Sequence, residues 1–240
     1  MPLKSLGAEE ADKLIKYAPA SGELLLDSYD HLDPVAAEKL AKWDGRKLSF
    51  GKLTSLDTNL AEKLAKWTGG SLYLNGLPSL TPAIAEKLAQ WRGNFLFLNG
   101  LKTLDPATAE KLTAWNGLDL ALNGLPKLDA DLAEKLALWS GGSLELNGVQ
   151  HLHIAAAEKL SQWGGQVLSF GRVQVLDAAT AEKLSQWGGH YLHLRGLQRV
   201  DEASAKKLAH WKGKVISLKA LKGLNATIQD ILSRAHARII

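Results

Sequence analysis

Residues 72–93 read LYLNGLPSLTPAIAEKLAQWRG, and close copies of this stretch fill most of the 240-residue chain. Its tryptophan, Trp91, is one of eight, each 24 residues from the next, running from Trp43 to Trp211. The segment Ala-Glu-Lys-Leu recurs at the same interval. A fixed period of this length indicates one supersecondary unit stacked many times, because each unit buries its apolar face only against its neighbours.

The second half of the quoted stretch predicts a helix. Thr81 can cap the helix by accepting a free backbone N–H, and Pro82 suits the first helical position. Ala85 and Leu88, with Trp91 one turn on, form an apolar stripe at helical spacing. We predict about ten helical residues that end near the tryptophan, then a left-handed glycine cap at Gly93. The capping column comprises Asp33, Asp57, Thr81, Asp105, Asp129, His153, Asp177, Asp201 and Asn225.

The first half of the stretch predicts a β-strand. Leu72-Tyr73-Leu74 alternates apolar core positions with outward ones, so residues 71 and 73 should lie on the open face of a sheet. A helix precedes every following strand, so neighbouring strands must be parallel. We therefore predict a parallel sheet on one side of the repeats and helices on the other.

The pattern Leu-x-Leu-Asn-Gly-Leu-x-x-Leu followed by a helix resembles a leucine-rich repeat over nearly the whole chain. The resemblance implies an α/β fold, a curved solenoid of about nine strand–helix repeats. Its parallel β-sheet would lie on the concave face and its short α-helices on the convex face, and the family binds ligands on the concave face. The family places its ladder asparagine further beyond the strand than Asn75, so that role is not carried over.

The ends of the chain depart from the repeat, as the caps of a solenoid do. We predict a single repeat domain over residues 1–240. It comprises an N-terminal capping repeat at 1–32, eight 24-residue repeats at 33–224 and a C-terminal capping helix at 225–240. In the first of these segments Tyr17 stands in the column of the tryptophans.

The composition is that of a folded, soluble protein. The 29 basic and 25 acidic side chains give a formal charge of +4, too near neutral to favour nucleic acid as a partner. The absence of cysteine excludes disulfides and thiolate metal sites. No apolar run approaches the roughly 20 residues of a membrane span, and the first ten residues lack a signal-peptide core. We expect no membrane association and favour the cytoplasm; the oligomeric state stays open.

The sequence contains no recognisable catalytic motif. His151, His153, His190 and His193 are the only plausible metal or acid–base groups, and no third ligand or nucleophile accompanies them at a fixed spacing. The glycines fall at caps and turns and form no phosphate-binding loop. The tryptophans would suit a stacking platform for sugars or bases, but their unbroken period favours a packed spine. We expect no enzymatic activity, no cofactor and no metal.

Two strand columns vary while the framework around them stays constant. One reads Ser49, Tyr73, Phe97, Ala121, Glu145, Ser169, His193 and Ser217, and the other reads Lys47, Ser71, Phe95, Asp119, Ser143, Val167, Tyr191 and Val215. They give an aromatic patch, an acidic middle and a second aromatic group. Exposed aromatic side chains beside charges are typical of protein-recognition surfaces. The candidate binding residues are Tyr73, Phe95, Phe97, Asp119, Glu145, Tyr191 and His193.

The sequence therefore predicts a non-enzymatic protein–protein interaction scaffold that binds a partner on the exposed strand face. Tyr73, Phe95 and Phe97 would be the anchors, and Asp119 and Glu145 would steer a basic partner. One alternative is a carbohydrate-binding or surface-adhesion solenoid that uses the same aromatic side chains. Another is an engineered or structural repeat protein without a ligand, whose strand columns have drifted. A basic C-terminal end offers a surface to an anionic partner through Lys206, Lys207, Lys212, Lys214, Lys219, Lys222, Arg234 and Arg238.

Overall fold

The computed structural model describes residues 4–240, over which ten short helices alternate with short strands. The chain divides into two compact units that meet at Leu122 and Asn123 in the sequence. Both units are built from the same strand–helix repeat, and all their paired strands are parallel. The chain is an α/β solenoid of strand–helix repeats.

In the first unit, residues 4–122, seven strands and five helices are described. The strands are β1 Ser5–Leu6, β2 Glu23–Leu25, β3 His31–Leu32, β4 Lys47–Ser49, β5 Ser71–Tyr73, β6 Phe95–Phe97 and β7 Asp119–Ala121. The helices are α1 Ala8–Lys16, α2 Pro34–Ala41, α3 Thr58–Leu64, α4 Pro82–Leu88 and α5 Pro106–Leu112. Strands β1 and β3 form a parallel pair, and β2, β4, β5, β6 and β7 form a parallel sheet in that order.

The second unit, residues 123–240, has five strands and five helices. The strands are β8 Ser143–Glu145, β9 Val167–Ser169, β10 Tyr191–His193, β11 Val215–Ser217 and β12 Arg238–Ile239. The helices are α6 Ala130–Ala137, α7 Ile154–Leu160, α8 Ala178–Ser185, α9 Glu202–Ala209 and α10 Ala226–Ser233. The five strands pair in chain order. After α10, residues 225–240 also supply β12, which pairs with β11.

The sheet register follows from the repeat. Leu72 lies between Leu48 and Leu96 on the neighbouring strands, and all three side chains are fully buried. Tyr73 and Phe97, one residue further on, are paired with each other and half-buried on the opposite face. The alternation of core and open-face positions that the sequence predicts is thus confirmed.

The helices begin where the sequence predicts and end earlier. Cap side chains accept from backbone N–H groups two or three residues on, at 2.7–3.4 Å, as Asp57 does from Leu60. Each helix has only seven to nine residues, so the expected length of about ten was too long. Helix α4 ends at Leu88, and the N–H of Trp91 donates to the Leu88 carbonyl, a three-residue bond that tightens the last turn.

His153 occupies the capping position of α7 but makes no side-chain capping bond. The equivalent Asp177 accepts from the Thr180 N–H at 2.7 Å. We expect His153→Asp to raise the free energy of unfolding by about 1 kcal/mol, because it supplies the missing acceptor. Urea denaturation would measure the gain. His153→Ala, which supplies no acceptor, is the control, and an equal gain from both variants would contradict the capping explanation.

The tryptophans form the buried spine that their period predicts. Each is between 0 and 6% exposed, and neighbouring rings within a unit stack with centroids 5.8–6.2 Å apart. Indole N–H groups also donate to the backbone carbonyl of the preceding tryptophan, as Trp187 does to Trp163 at 3.0 Å. Tyr17 does not join this spine, since 74% of it is exposed. The spine begins at Trp43.

The glycine after each tryptophan is not a left-handed cap, which corrects the prediction from the sequence. Within residues 4–240 only Gly22 and Gly223 have a positive φ. The reason for glycine is steric. A Cβ on Gly165 would lie 2.0 Å from Cζ2 of Trp163, because the indole folds back over the glycine two residues later. The same short distance, 1.9–2.1 Å, recurs at the equivalent glycines.

Polar side chains that follow several strands join neighbouring repeats in a ladder. Asn75 Oδ1 accepts from the Asn99 backbone N–H at 3.0 Å, and Asn123 Oδ1 accepts from the Asn147 N–H at 2.9 Å. Asp27 plays the same part for Gly51 at 2.5 Å. These side chains satisfy backbone donors that the short strands leave unpaired. The asparagine column is therefore structural, a role that the sequence did not assign.

The outer helix faces carry ion pairs between repeats. The glutamate of one helix pairs with a lysine 25 residues on, and these contacts involve Glu38–Lys63, Glu62–Lys87, Glu86–Lys111, Glu134–Lys159, Glu158–Lys183 and Glu182–Lys207. The lysine hydrogen bond holds the pKa of Glu158 below its usual value. Because these side chains are solvated, each pair adds little to stability.

Candidate functional site

The open strand face of the first unit carries a stacked aromatic pair. In-register pairing of β5 with β6 places Tyr73 beside Phe97, with ring centroids 4.0 Å apart and planes 8° from parallel. On the other side of the pair, Lys47 of β4 holds its Nζ 4.8 Å from the Tyr73 ring centroid. A cation over an aromatic face is attracted by the ring's electrons, which helps to fix the position of Tyr73.

Phe95 completes a patch of three aromatic side chains. It lies two residues before Phe97 on β6, so both side chains point to the same face of the sheet. All three rings are half-buried. We call Tyr73, Phe95 and Phe97 the aromatic patch. The structure thus brings together the three side chains that the sequence singled out as anchors.

The aromatic patch is bordered by Asp119 and Ala121 on β7. Register pairing places Asp119 beside Phe95 and Ala121 beside Phe97. Asp119 is half-buried, whereas Ala121 is buried, with 2% of its surface exposed. Next to the aromatic patch, strand β7 thus presents the carboxylate of Asp119 and the short side chain of Ala121. The Phe97 ring extends further from the sheet than the methyl group of Ala121 beside it.

In the second unit, Glu145 lies at the end of β8 beside the polar ladder. Its Oε2 accepts from the side-chain amides of Asn123 at 2.8 Å and Asn147 at 3.5 Å. These amides orient the carboxylate. Asn123 and Glu145 are 22 positions apart in the chain, so the sequence alone did not predict their contact.

Tyr191 and His193 lie on the same face of β10. Tyr191 is 38% exposed and lies between Val167 and Val215, and its ring meets the His190 ring edge-on, with centroids 6.4 Å apart. His193 lies between Ser169 and Ser217. Aromatic and small polar side chains are thus adjacent here, but no ring stacks on Tyr191 as Phe97 stacks on Tyr73 among the residues described.

His193 is an uncharged side chain at neutral pH. Burial lowers the pKa of its imidazole below the usual value, the positive charge of Arg195 lowers it further, and Glu145 acts in the opposite direction. Its Nδ1 is buried and finds no hydrogen-bond partner within residues 4–240, and the same holds for the Ser217 hydroxyl. His193 therefore offers hydrogen bonds and ring contact, and it adds no positive charge to the face.

Within residues 4–240, no cluster of three or more His, Cys, Asp or Glu side chains could hold a metal ion. None of the helices in residues 4–240 is both long and apolar enough to cross a bilayer. The chemistry visible on the strand face consists of aromatic contact, hydrogen bonds and fixed charge. Lys47 belongs to this site but was not among the residues predicted from the sequence. Its place in one of the two variable strand columns could have identified it.

No protein-family model and no curated protein matches the chain. Two solved structures are similar to it. A chain in the structure of the Toll–Spatzle complex, a molecular hub in Drosophila development and innate immunity, is 15% identical with a TM-score of 0.48. That match covers 68% of this chain and 22% of the other, so this chain spans about a fifth of that protein. An internalin from Listeria monocytogenes is 14% identical with a TM-score of 0.43, and the match covers 97% of this chain and 93% of the internalin.

Proposed function

We propose that the chain is a non-enzymatic scaffold that binds a protein partner on its exposed strand face, with the aromatic patch as the anchor. The observation that carries the proposal is the stacked, half-exposed pair of Tyr73 and Phe97 on a sheet whose opposite face is fully buried. Large aromatic side chains at the centre of an interface supply most of its binding energy.

The patch is preorganised for binding. Tyr73 and Phe97 restrain each other by stacking, and Lys47 restrains Tyr73 from the other side. Side chains that are already ordered lose little rotamer entropy when a partner covers them, and this leaves more of the contact energy as affinity. The short strands below are hydrogen-bonded to both neighbours, so the backbone that carries the patch is rigid.

The acidic side chains of the strand face favour a basic partner, since the positive charge of Lys47 at the patch is paired with Glu23 at 3.9 Å. Asp119 borders Phe95 on the next strand, and Glu145 holds a charged carboxylate at a fixed position on the open face of the second unit. Fixed charges of one sign speed association with a partner of the opposite sign and set its orientation. Tyr191 and His193 would add contacts in the second unit.

We expect the triple substitution Tyr73→Ala, Phe95→Ala and Phe97→Ala to abolish partner capture while the fold persists. Each anchor should contribute about 2 kcal/mol or more, so the Kd for the partner should rise at least about 100-fold. Capture from cells of the source organism, followed by mass spectrometry, would identify the partner. Calorimetry with the purified partner would then measure the change in Kd.

A matched control removes exposed apolar side chains from other surfaces, through Tyr17→Ala, Val35→Ala and Leu138→Ala. This control should retain the partner. Equal capture by the wild type and the patch variant would refute the proposal, and so would equal loss from both variants. Binding of purified glycans that depends on Phe97 would support a carbohydrate ligand at this face instead.

A further inference from the structure

A groove of about 460 Å³ lies in the second unit, where strands β9, β10 and β11 lead into the helices, and it shares no residue with the aromatic patch. Its lining residues include Gly171, Gly196 and Ala220, none of which has a side chain longer than a methyl group. Its walls include Gln174 and Gln198. A ligand could therefore approach the backbone closely along this trough.

The walls carry a row of glutamine amides. Gln150, Gln174 and Gln198 occupy the same position in three successive repeats and are exposed. The Gln198 backbone N–H donates to the Gln174 carbonyl at 2.9 Å, which holds neighbouring members of the row one strand spacing apart. The structure gives these side-chain amides no hydrogen-bond partner within the described residues. In other repeats the position holds threonine, proline or lysine.

Three of the loops beside the groove concentrate positive charge, whereas the fourth, which carries Gln150, contains Glu145. Residues 169–175, 193–199 and 217–223 contain five basic side chains and no Asp or Glu, the basic ones being Arg172, Arg195, Arg199, Lys219 and Lys222. Arg172 lines the groove, and Arg195, Arg199 and Lys219 each adjoin a lining residue in the chain. Lys222 lies two residues beyond Ala220, which also lines the groove. None of the five has an ion-pair partner in the described part of the protein. The equivalent first-unit loops at 49–55, 73–79 and 97–103 contain two basic side chains, Lys52 and Lys102.

We propose that this groove binds an acidic glycan, a chain of sugar rings that bears sulfate or carboxylate groups. An amide presents a donor and an acceptor side by side, and a sugar hydroxyl is likewise both donor and acceptor. Guanidinium groups bind sulfate and carboxylate oxygens in a bidentate way. Val175, 61% exposed at the rim, supplies apolar contact for a ring face.

Two other classes of anionic ligand fit the groove less well. An acidic peptide could not add a strand here, because β9, β10 and β11 each pair with a strand on both sides. Single-stranded nucleic acid relies on stacking of bases on aromatic rings. His151 is the only ring among the lining residues, and it lies at one end of the trough.

Binding of a sulfated heparin oligosaccharide to the full chain, measured by calorimetry at physiological salt, tests the proposal. Gln174→Ala with Gln198→Ala leaves the charge unchanged, and we expect it to raise the Kd at least about tenfold by removing hydrogen bonds to the sugar. Arg172→Glu with Lys222→Glu should abolish binding. The matched control is Lys52→Glu with Lys102→Glu, the same charge change at the equivalent positions of the first unit, and it should alter the Kd less than threefold.

Three results would overturn the proposal. The first is no binding of the oligosaccharide, and the second is equal weakening by both charge-reversal pairs. The third is binding that the glutamine pair leaves unchanged, since that would indicate general attraction between opposite charges. Polyglutamate and single-stranded DNA serve as comparison ligands. Either one binding as tightly as the oligosaccharide, with the same dependence on Gln174 and Gln198, would assign the groove to that class instead. Urea midpoints for each variant would separate lost binding from lost folding.

Discussion

Gly165→Ala is expected to lower the free energy of unfolding by about 3 kcal/mol or more, at the top of the range for overpacked cores. The added Cβ would lie 2.0 Å from Cζ2 of Trp163. That indole cannot move aside, because it is buried and stacked between Trp139 and Trp187 at 6.1 and 5.9 Å. Urea denaturation followed by circular dichroism would measure the loss, with the m-value checking that the same surface unfolds.

The neighbouring glycine provides the control. A Cβ on Gly164 meets nothing within 4 Å, so Gly164→Ala should change stability by less than about 0.5 kcal/mol. Gly165→Asn distinguishes the two explanations for the glycine that recurs in the repeats. Asparagine tolerates a left-handed cap better than alanine does, so a cap would make Gly165→Asn the milder change. A steric limit makes the larger asparagine at least as harmful as alanine, and the opposite order would refute it.

The regular parts of the fold were predictable because their causes are local and repeated. Asp57, Leu64 and Leu72 each have a role that follows from neighbours a few residues away, and eight repetitions confirm the pattern. The predictions that were wrong concern contacts that depend on the direction in which a side chain points. The indole of Trp163 folds back toward Gly165, and only the packing of adjacent tryptophans decides that choice. The short helices follow from the same packing, since the chain must leave the helix before the tryptophan can join the spine.

In the candidate site too, the local features were predictable from the sequence and the contacts between repeats were not. The alternation of Leu72, Tyr73 and Leu74 was enough to predict which side chains face outward, because a strand has a period of two. The position of Lys47 over the Tyr73 ring depends on rotamers, and the amides that bind Glu145 come from two neighbouring repeats. The basic groove also escaped prediction. Its glutamines and arginines are spread over 50 residues, from Gln150 to Arg199, and become neighbours only when the repeats stack.

Trp187→Ala is expected to destabilise the protein by about 3–5 kcal/mol, the range for removing a large buried aromatic side chain. The substitution leaves a cavity between Trp163 and Trp211, whose rings stack on Trp187 at 5.9 and 5.8 Å. It also removes the indole N–H that donates to the Trp163 carbonyl at 3.0 Å. Trp43 stacks on Trp67 at the start of the spine and is 6% exposed, so Trp43→Ala should cost less.

Substitution by phenylalanine separates the hydrogen bond from the packing. Trp187 and Trp91 are both almost fully buried and both stacked, but the Trp91 Nε1 has no acceptor within residues 4–240. Trp187→Phe leaves the Trp163 carbonyl without its donor, whereas Trp91→Phe removes a buried donor that was already unpaired. We expect Trp187→Phe to cost about 1–2 kcal/mol more than Trp91→Phe in urea denaturation. Equal costs would mean that stacking alone holds the spine together and that the indole hydrogen bonds add nothing to stability.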